Sequence, residues 1–102
     1  MLILEKKVGK KLKEKEIEGS IQETLEKMQD IVGGYIETIT FPKEKIVLVC
    51  NEEGRLRNLP VNFFHTRIGH IYGDIFFVGM GEEDFVSLTK EQIQSLRNFF
   101  ER

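Results

Sequence analysis

The first periodic apolar segment of the chain begins at Ser20 and predicts an amphipathic helix over residues 19–34. Ser20 stands three residues before Glu23, which is a capping box: the hydroxyl accepts a backbone N–H, and the carboxylate bonds the cap residue in return. Gly33 and Gly34 end the segment, since glycine takes the left-handed C-terminal position without a Cβ clash. The expected apolar stripe is Ile21, Leu25, Met28 and Val32.

A second segment of the same kind closes the chain and predicts a terminal helix over residues 89–102. Thr89 stands three residues before Gln92, so the capping signal recurs. Apolar residues again follow at intervals that bring them onto one side of a helix. The expected stripe is Ile93, Leu96 and Phe100.

Between and before these helices, short apolar runs rich in β-branched residues predict strands. The run Ile46–Cys50 is continuously apolar, which is typical of a central strand covered on both faces. By contrast, Lys11–Ile17 carries charge at most positions, with Leu12 and Ile17 on opposite faces, and indicates an exposed edge strand or an extended arm. The other expected strands are Met1–Val8, Tyr35–Phe41 and Asp74–Gly79, with a short extended piece at Phe85–Leu88.

Two stretches have no clear period and are harder to interpret. Arg55–Leu59 follows a turn at residues 51–54 and can return as a short strand. Pro60–Gly69 contains aromatic and basic residues without alternation, which favours a loop or a short helix.

The order of these elements predicts an α+β fold. Strands grouped between helices favour a mostly antiparallel sheet of about five to six strands with two amphipathic helices packed against it. With 102 residues, the chain has the length of a single domain. We expect a strand pair or charged arm over residues 1–18, a helix over 19–34, strands and loops over 35–88, and the terminal helix over 89–102.

Composition narrows the class of protein. The net charge is −2, which argues against a general nucleic-acid coat because such proteins carry a clear basic excess. A single cysteine, Cys50, cannot form an internal disulfide, so we expect a cytoplasmic protein with a buried, inert thiol. No apolar run approaches the roughly 20 residues of a membrane helix, so no membrane partner is expected.

The residue types that could carry catalysis are sparse and badly spaced. His65 and His70 lie five residues apart, which does not match the helical pair of a zinc site, and Asp74 is the one further candidate ligand nearby. Cys50 lies in mid-strand, where a thiol is poorly placed to act as a nucleophile beside a histidine. The Gly79-Met80-Gly81 turn lacks the third glycine and the lysine of phosphate-binding loops. We therefore expect no catalytic residues, no metal and no cofactor.

The charged side chains offer two alternative binding surfaces. Carboxylates on one surface could occupy a basic groove that is built for nucleic acid. On the other, arginines around Phe63, Phe64 and His65 could pair phosphates while the rings stack on bases. The acidic candidates are Glu82, Glu83, Asp84, Glu52, Glu53, Glu14, Glu16 and Glu18, the last three pointing to one side if the arm is extended; the basic candidates are Arg55, Arg57 and Arg67.

Several stretches of the chain arrive in an order that resembles a known family. They are Val32–Glu37, Leu48–Gly54, Leu59–Asn62, Ile71–Gly79 and Glu82–Thr89. Together they resemble a small domain family of unknown function carried by phages, plasmids and conjugative elements of Gram-positive bacteria. The resemblance covers the chain from about Ser20 to the last helix, and it supplies no enzymatic motif.

What this resemblance implies is a genomic context, in which small acidic proteins of mobile elements often counter host defence. Our leading functional hypothesis is a non-enzymatic anti-CRISPR protein that binds the host RNA-guided nuclease of type II and blocks guide RNA loading or DNA engagement. The alternative is a nucleic-acid or nucleotide-binding accessory module of a phage or conjugative element. Either could act as a monomer or as a homodimer.

Overall fold

The computed structural model describes residues 1–101 of the chain, which form two helices and eight strands. The elements in chain order are β1 Leu2–Lys6, β2 Lys13–Glu16, α1 Ile21–Val32, β3 Ile36–Phe41, β4 Ile46–Asn51, β5 Val61–His65, β6 Gly69–Tyr72, β7 Ile75–Met80, β8 Phe85–Val86 and α2 Lys90–Phe100.

The main sheet has six strands and is antiparallel throughout. Five strands lie in the order β2-β1-β7-β4-β3, and β8 pairs with β7 beside them. β1 pairs with Ile75–Phe77 and β8 with Gly79 and Met80, so β1 and β8 follow one another along one side of β7. β5 and β6 form a separate hairpin. The predicted α+β fold, with a mostly antiparallel sheet and two helices, is confirmed.

The two central strands, β4 and β7, are buried on both faces of the sheet. Successive side chains of a strand point to opposite faces, so Leu48 and Phe77 belong to one apolar cluster and Val49 and Phe76 to the other. Burying each such side chain stabilises the fold by roughly 1.5–3 kcal/mol relative to leaving it exposed. The prediction of a central strand at residues 46–50 is confirmed.

One face of the sheet is covered by α2 together with the β5–β6 hairpin. The ring of Phe63 on the hairpin lies 4.9 Å from that of Phe100 on α2 and 6.5 Å from that of Phe77 in the sheet, measured between centroids. Ile93 and Leu96 of the predicted stripe are buried here. The opposite face is covered by α1, so the two helices lie on opposite sides of the sheet.

Both predicted capping boxes are present, and α1 ends at Gly33 as expected. Gly33 has a φ of 77°, and its N–H donates to the carbonyl of Gln29 at 2.8 Å. The Ser20 hydroxyl accepts from the Glu23 N–H at 3.2 Å, and Thr89 does the same with Gln92 at 3.1 Å. These signals are local in sequence, which is why they were readable without the fold.

The charged arm at residues 11–17 is an edge strand, β2, whose four residues Lys13–Glu16 are all exposed. Leu12 and Ile17 flank it and are buried in the two different apolar clusters, so the expectation that they lie on opposite faces is confirmed.

Two segment predictions were wrong. Arg55–Leu59 is not a strand but a series of tight turns, closed by bonds from Arg57 N to Glu53 O at 2.8 Å and from Leu59 N to Gly54 O at 3.0 Å. The segment 60–69 is neither a loop nor a short helix, because most of it forms β5 and the turn into β6. His65 and His70 therefore lie in strands rather than in a loop. The hairpin buries one side against α2. This is a tertiary contact, which the local spacing of apolar residues in the segment does not reveal.

Candidate protein-binding groove

The first half of the α1 stripe does not enter the core. Met28 and Val32 are buried between α1 and the sheet, whereas Ile21 is 91% exposed and Leu25 is 36% exposed. The predicted apolar stripe is therefore buried in its second half only. A helix side chain is buried only where another element lies over it, and in α1 that holds for the C-terminal half.

Ile21 and Leu25 instead line a groove along the flank of α1, which we call the α1 groove. The groove has a volume of about 570 Å³ and runs between α1, the start of β3 and the β8 strand. Because positions 21, 25 and 28 share one helix face, they form one continuous apolar wall. The apolar lining is Met1, Ile17, Ile21, Leu25, Met28, Ile36 and Phe85.

The two charged side chains that line the α1 groove are both acidic, and Met1, whose N-terminal ammonium pairs with Glu16, lines it as well. Glu18 precedes α1, and Asp84 ends the acidic loop that joins β7 to β8. No lysine or arginine is among the described residues of the lining. Glu82 and Glu83 are exposed in the same loop as Asp84, which is the one residue of the three that lines the groove. We call Glu18, Glu82, Glu83 and Asp84 the acidic rim.

Close backbone packing explains the glycines that flank the acidic rim. The N–H of Gly81 donates to the carbonyl of Asp84 at 3.0 Å, which closes the loop. A Cβ at Gly81 would lie 2.4 Å from that carbonyl oxygen, and one at Gly79 would lie 2.8 Å from the carbonyl oxygen of Val86. Both positions need glycine because β8 and the end of the acidic loop come so near. Gly79 and Met80 belong to β7 rather than to a turn, and the two glycines have a structural explanation.

The remaining acidic candidates are not part of this surface. Glu14 and Glu16 lie in β2, where Glu14 pairs with Arg97 of α2 at 3.3 Å and Glu16 pairs with the N-terminal ammonium at 3.2 Å. Glu18 lies beyond the end of β2 and lines the α1 groove, so the three do not point to one side.

Glu52 and Glu53 are also remote from the acidic rim. They follow the last residue of β4, whereas the acidic loop follows Met80 at the other end of the sheet, where Gly79 pairs with Ile46. The structure thus divides the predicted acidic surface into separate parts.

The three arginines of the alternative surface do not converge on the aromatic rings either. Arg57 donates through Nη1 to the carbonyl of Gly33 at 2.9 Å, at the end of α1. Arg67 donates through Nη2 to the carbonyl of Thr40 at 3.0 Å and lies over the ring of Phe41, 4.7 Å from its centre. Two of the three guanidinium groups are therefore engaged with the protein's own backbone.

A second cleft, of about 440 Å³, brings together residues that the sequence kept apart. Cys50 and His70 both line it, together with Glu37, Arg55 and Tyr72. Burial, helped by the Glu37 carboxylate, raises the pKa of the Cys50 thiol to about 11. At neutral pH the thiol is therefore protonated, and a protonated thiol is a poor nucleophile.

The histidines have structural neighbours. Nδ1 of His65 accepts the N–H of Arg67 at 3.1 Å, and the His65 ring lies against Phe41. The His70 ring lies 5.0 Å from that of Phe64. Within residues 1–101, no group of three or more His, Cys, Asp or Glu side chains is placed to hold a metal ion. None of the helices described here is long and apolar enough to cross a membrane.

Sequence reasoning missed the apolar part of the groove. The sequence pattern placed Ile21 and Leu25 on the helix stripe, Ile36 in a strand and Phe85 in a short extended piece, and it carried no signal that they share a groove.

Comparison with known proteins places the chain in a family without assigning a function. No curated protein and no solved structure matches it. A family described as Domain of unknown function (DUF3846) matches residues 1–101, nearly the whole chain. The expectation of a small domain family of unknown function is thereby confirmed, and the chain belongs to the DUF3846 family.

Proposed function

We propose that this protein acts without catalysis by binding another protein, which it contacts through the α1 groove and the acidic rim. One observation carries the proposal: an apolar wall that includes Ile21, which is 91% exposed, is lined by the acidic side chains of Glu18 and Asp84 and by no lysine or arginine among the described residues. The partner surface is therefore apolar at its centre and basic around it.

Both parts of the site have a physical role in binding. Apolar side chains at the centre of an interface supply affinity when water leaves them, at about 25 cal/mol per Å² of buried apolar surface. Carboxylates at the border accelerate encounter with a basic surface and fix its orientation, while repelling acidic competitors. The combination favours a protein partner, since nucleic acid would be repelled by the rim.

The partner that we propose is the type II RNA-guided nuclease of a bacterial host, which would make the protein an anti-CRISPR inhibitor from a mobile genetic element. Such a nuclease holds its guide–target duplex in a positively charged channel. An acidic protein lodged in that channel blocks guide RNA loading or DNA engagement. The family resemblance to proteins of mobile elements supports this context.

The non-catalytic part of the proposal is supported by the state of the second cleft. Cys50 is the one thiol of the chain, and its raised pKa keeps it protonated at neutral pH. A nucleophilic mechanism needs a thiolate beside a positioned base.

The test is binding of the purified protein to the nuclease, measured by biolayer interferometry with the guide-free and the guide-loaded enzyme. We expect tight binding to at least one form and loss of DNA cleavage. Reversing the rim with E82K, E83K and D84K together should weaken binding at least tenfold. The matched control is E52K with E53K, which reverses two carboxylates at the other end of the sheet and should leave binding unchanged.

Each result has a defined meaning. Absence of binding to both forms of the nuclease would refute that partner. Binding that tolerates the reversed rim but not the control would place the contact elsewhere on the molecule. The nucleic-acid alternative is tested by titrating single-stranded and duplex DNA with the protein at low salt in a gel-shift assay. We expect no change in the mobility of either DNA.

A further inference from the structure

The two outer strands of the main sheet differ sharply in their side chains. β2, at one edge, reads Lys-Glu-Lys-Glu, and charged residues of this kind discourage pairing with another strand. β3, at the other edge, reads Ile-Glu-Thr-Ile-Thr-Phe and pairs with β4 on one side only among the described residues. It is longer than β2, its residues are mostly β-branched or aromatic, and its one charge is Glu37.

The register of the hairpin shows which backbone groups of β3 are unpaired. The N–H of Glu52 donates to the carbonyl of Tyr35 at 2.9 Å, so Tyr35 belongs to a hydrogen-bonded pair. Because such pairs alternate along an antiparallel ladder, Ile36, Thr38 and Thr40 direct their N–H and C=O groups away from β4. The bond that Arg67 makes to the carbonyl of Thr40 agrees with this direction.

We propose that β3 pairs with β3 of a second copy of this chain, in an antiparallel arrangement with Thr38 opposite Thr38 on the two-fold axis. The main sheets of the two copies then form one continuous sheet. In this register Ile36 lies opposite Thr40 of the second copy, so the outward-facing backbone groups of each copy meet those of the other. The carbonyl of Thr40 has a second lone pair beyond the one that Arg67 uses.

Charge complementarity favours a second copy over an unrelated strand. β3 carries one anion, Glu37, near its start, and one cation, Arg67, is bound at Thr40 near its end. Antiparallel pairing places Glu37 of each copy opposite Ile39 of the other copy. Ile39 is the neighbour of Thr40, so the Glu37 carboxylate comes within reach of the Arg67 guanidinium that is bound at Thr40 of that other copy. Two symmetric ion pairs form, and no two carboxylates lie directly opposite one another.

An exposed aromatic ring gains a partner in the same register. Tyr35 is 68% exposed and lies opposite Phe41 of the second copy. These two residues form a non-hydrogen-bonded pair, the closer of the two kinds, in which aromatic side chains pack well. Self-pairing thus gives hydrogen-bond partners to the outward backbone groups of β3, an ion-pair partner to Glu37 and a packing partner to the Tyr35 ring.

The proposal is tested by analytical ultracentrifugation of the whole chain over a concentration series. We expect a species with twice the 11.9 kDa mass of the chain. T38P should shift the chain to monomer, because proline removes an N–H that faces away from β4 and leaves the β3–β4 ladder intact. The matched control is E14P, which removes the outward N–H of β2 at the other edge and should keep the dimer.

Exchanging the charges of Glu37 and Arg67 tests whether the strand that pairs with β3 belongs to a second copy of this chain. E37R should raise the dissociation constant of the dimer by about tenfold, since it faces Arg67 of the other copy, and R67E should do the same. The double variant E37R with R67E should restore dimerisation. Far-UV circular dichroism checks that each variant is folded, and if T38P does not fold, the swap decides alone. A monomeric wild type, a dimeric T38P or a double variant without recovery would overturn the proposal.

Discussion

The side chain of Asn51 donates its amide to the carbonyl of Val32, 3.0 Å away, and thereby joins the end of β4 to the end of α1. The same side chain accepts the N–H of Glu53 at 2.7 Å through Oδ1. Asn51 is one of two polar residues buried in the described part of the chain, the other being Glu5. A buried amide with both ends satisfied fixes where a helix ends relative to the sheet.

Replacing Asn51 by alanine should lower the free energy of unfolding by about 1–3 kcal/mol, because it leaves the carbonyl of Val32 and the N–H of Glu53 without their partner. Urea denaturation followed by circular dichroism measures the change. N98A is the matched control, since Asn98 is exposed on α2 and, within residues 1–101, its side chain accepts one hydrogen bond, from Gln94, so its effect should stay within about 0.5 kcal/mol. Equal effects of the two substitutions would contradict the role assigned to Asn51.

The Cys50 thiol should make stability fall in alkaline solution. Its pKa is raised to about 11 in the folded chain by burial, with a smaller contribution from the Glu37 carboxylate, whereas an unfolded thiol ionises near about 8.5. Below the unfolded pKa the contribution of the neutral thiol is complete. Between the two pKa values the unfolded state loses its proton first, so the contribution is lost as the pH rises.

The measurement is the difference in unfolding free energy between wild type and C50A as a function of pH. The lysines and tyrosines titrate in both proteins, so their contributions cancel in this difference. We expect this difference to be constant below pH 8 and to change in favour of C50A from there to about pH 11. Disulfide exchange with Ellman's reagent should be slow at pH 8 and fast after unfolding in urea. A fast reaction of the folded chain would reveal a thiolate and reopen the catalytic interpretation of the cleft.

Arg57 should behave as a structural residue rather than a nucleic-acid contact. R57A removes the bond from Nη1 to the carbonyl of Gly33 at 2.9 Å, which should cost about 0.5–1.5 kcal/mol of stability. R55A is the matched control, because Arg55 is an exposed residue of the neighbouring turn that lines the second cleft, and its effect should be within about 0.5 kcal/mol. If both variants were neutral for stability and lowered DNA binding, the alternative function would gain support.

The parts of the fold that sequence predicted are those with local causes. Ser20 and Thr89 satisfy backbone groups three residues away, and the run at Ile46 records burial on both faces, so α1, α2 and β4 were readable from the chain. The β5–β6 hairpin was not, because the Phe63 ring packs against those of Phe77 and Phe100, residues far away in sequence.

The site was predicted only in its charges, for a related reason. The acidic block at residues 82–84 is visible as composition, but its place beside Ile21 depends on how α1 crosses the sheet. Periodicity shows that Ile21, Leu25, Met28 and Val32 share one helix face, and it does not show how much of that face the sheet covers. Whether a residue of this helix face lies in the core or in the groove depends on tertiary packing.

Ile21 and Met28 lie on one face of α1, but only Met28 is in the core. We therefore expect alanine substitution to lower the stability of the fold at Met28 and not at Ile21. I21A should leave stability unchanged within about 0.5 kcal/mol, because the side chain is 91% exposed and alanine is a better helix former than isoleucine. M28A should cost about 2–5 kcal/mol, because it opens a cavity in the core. In binding to the partner, I21A should weaken the affinity although the protein stays fully folded, as measured by interferometry beside a thermal melt. A folded I21A variant that binds as tightly as wild type would show that the α1 groove is not the contact surface.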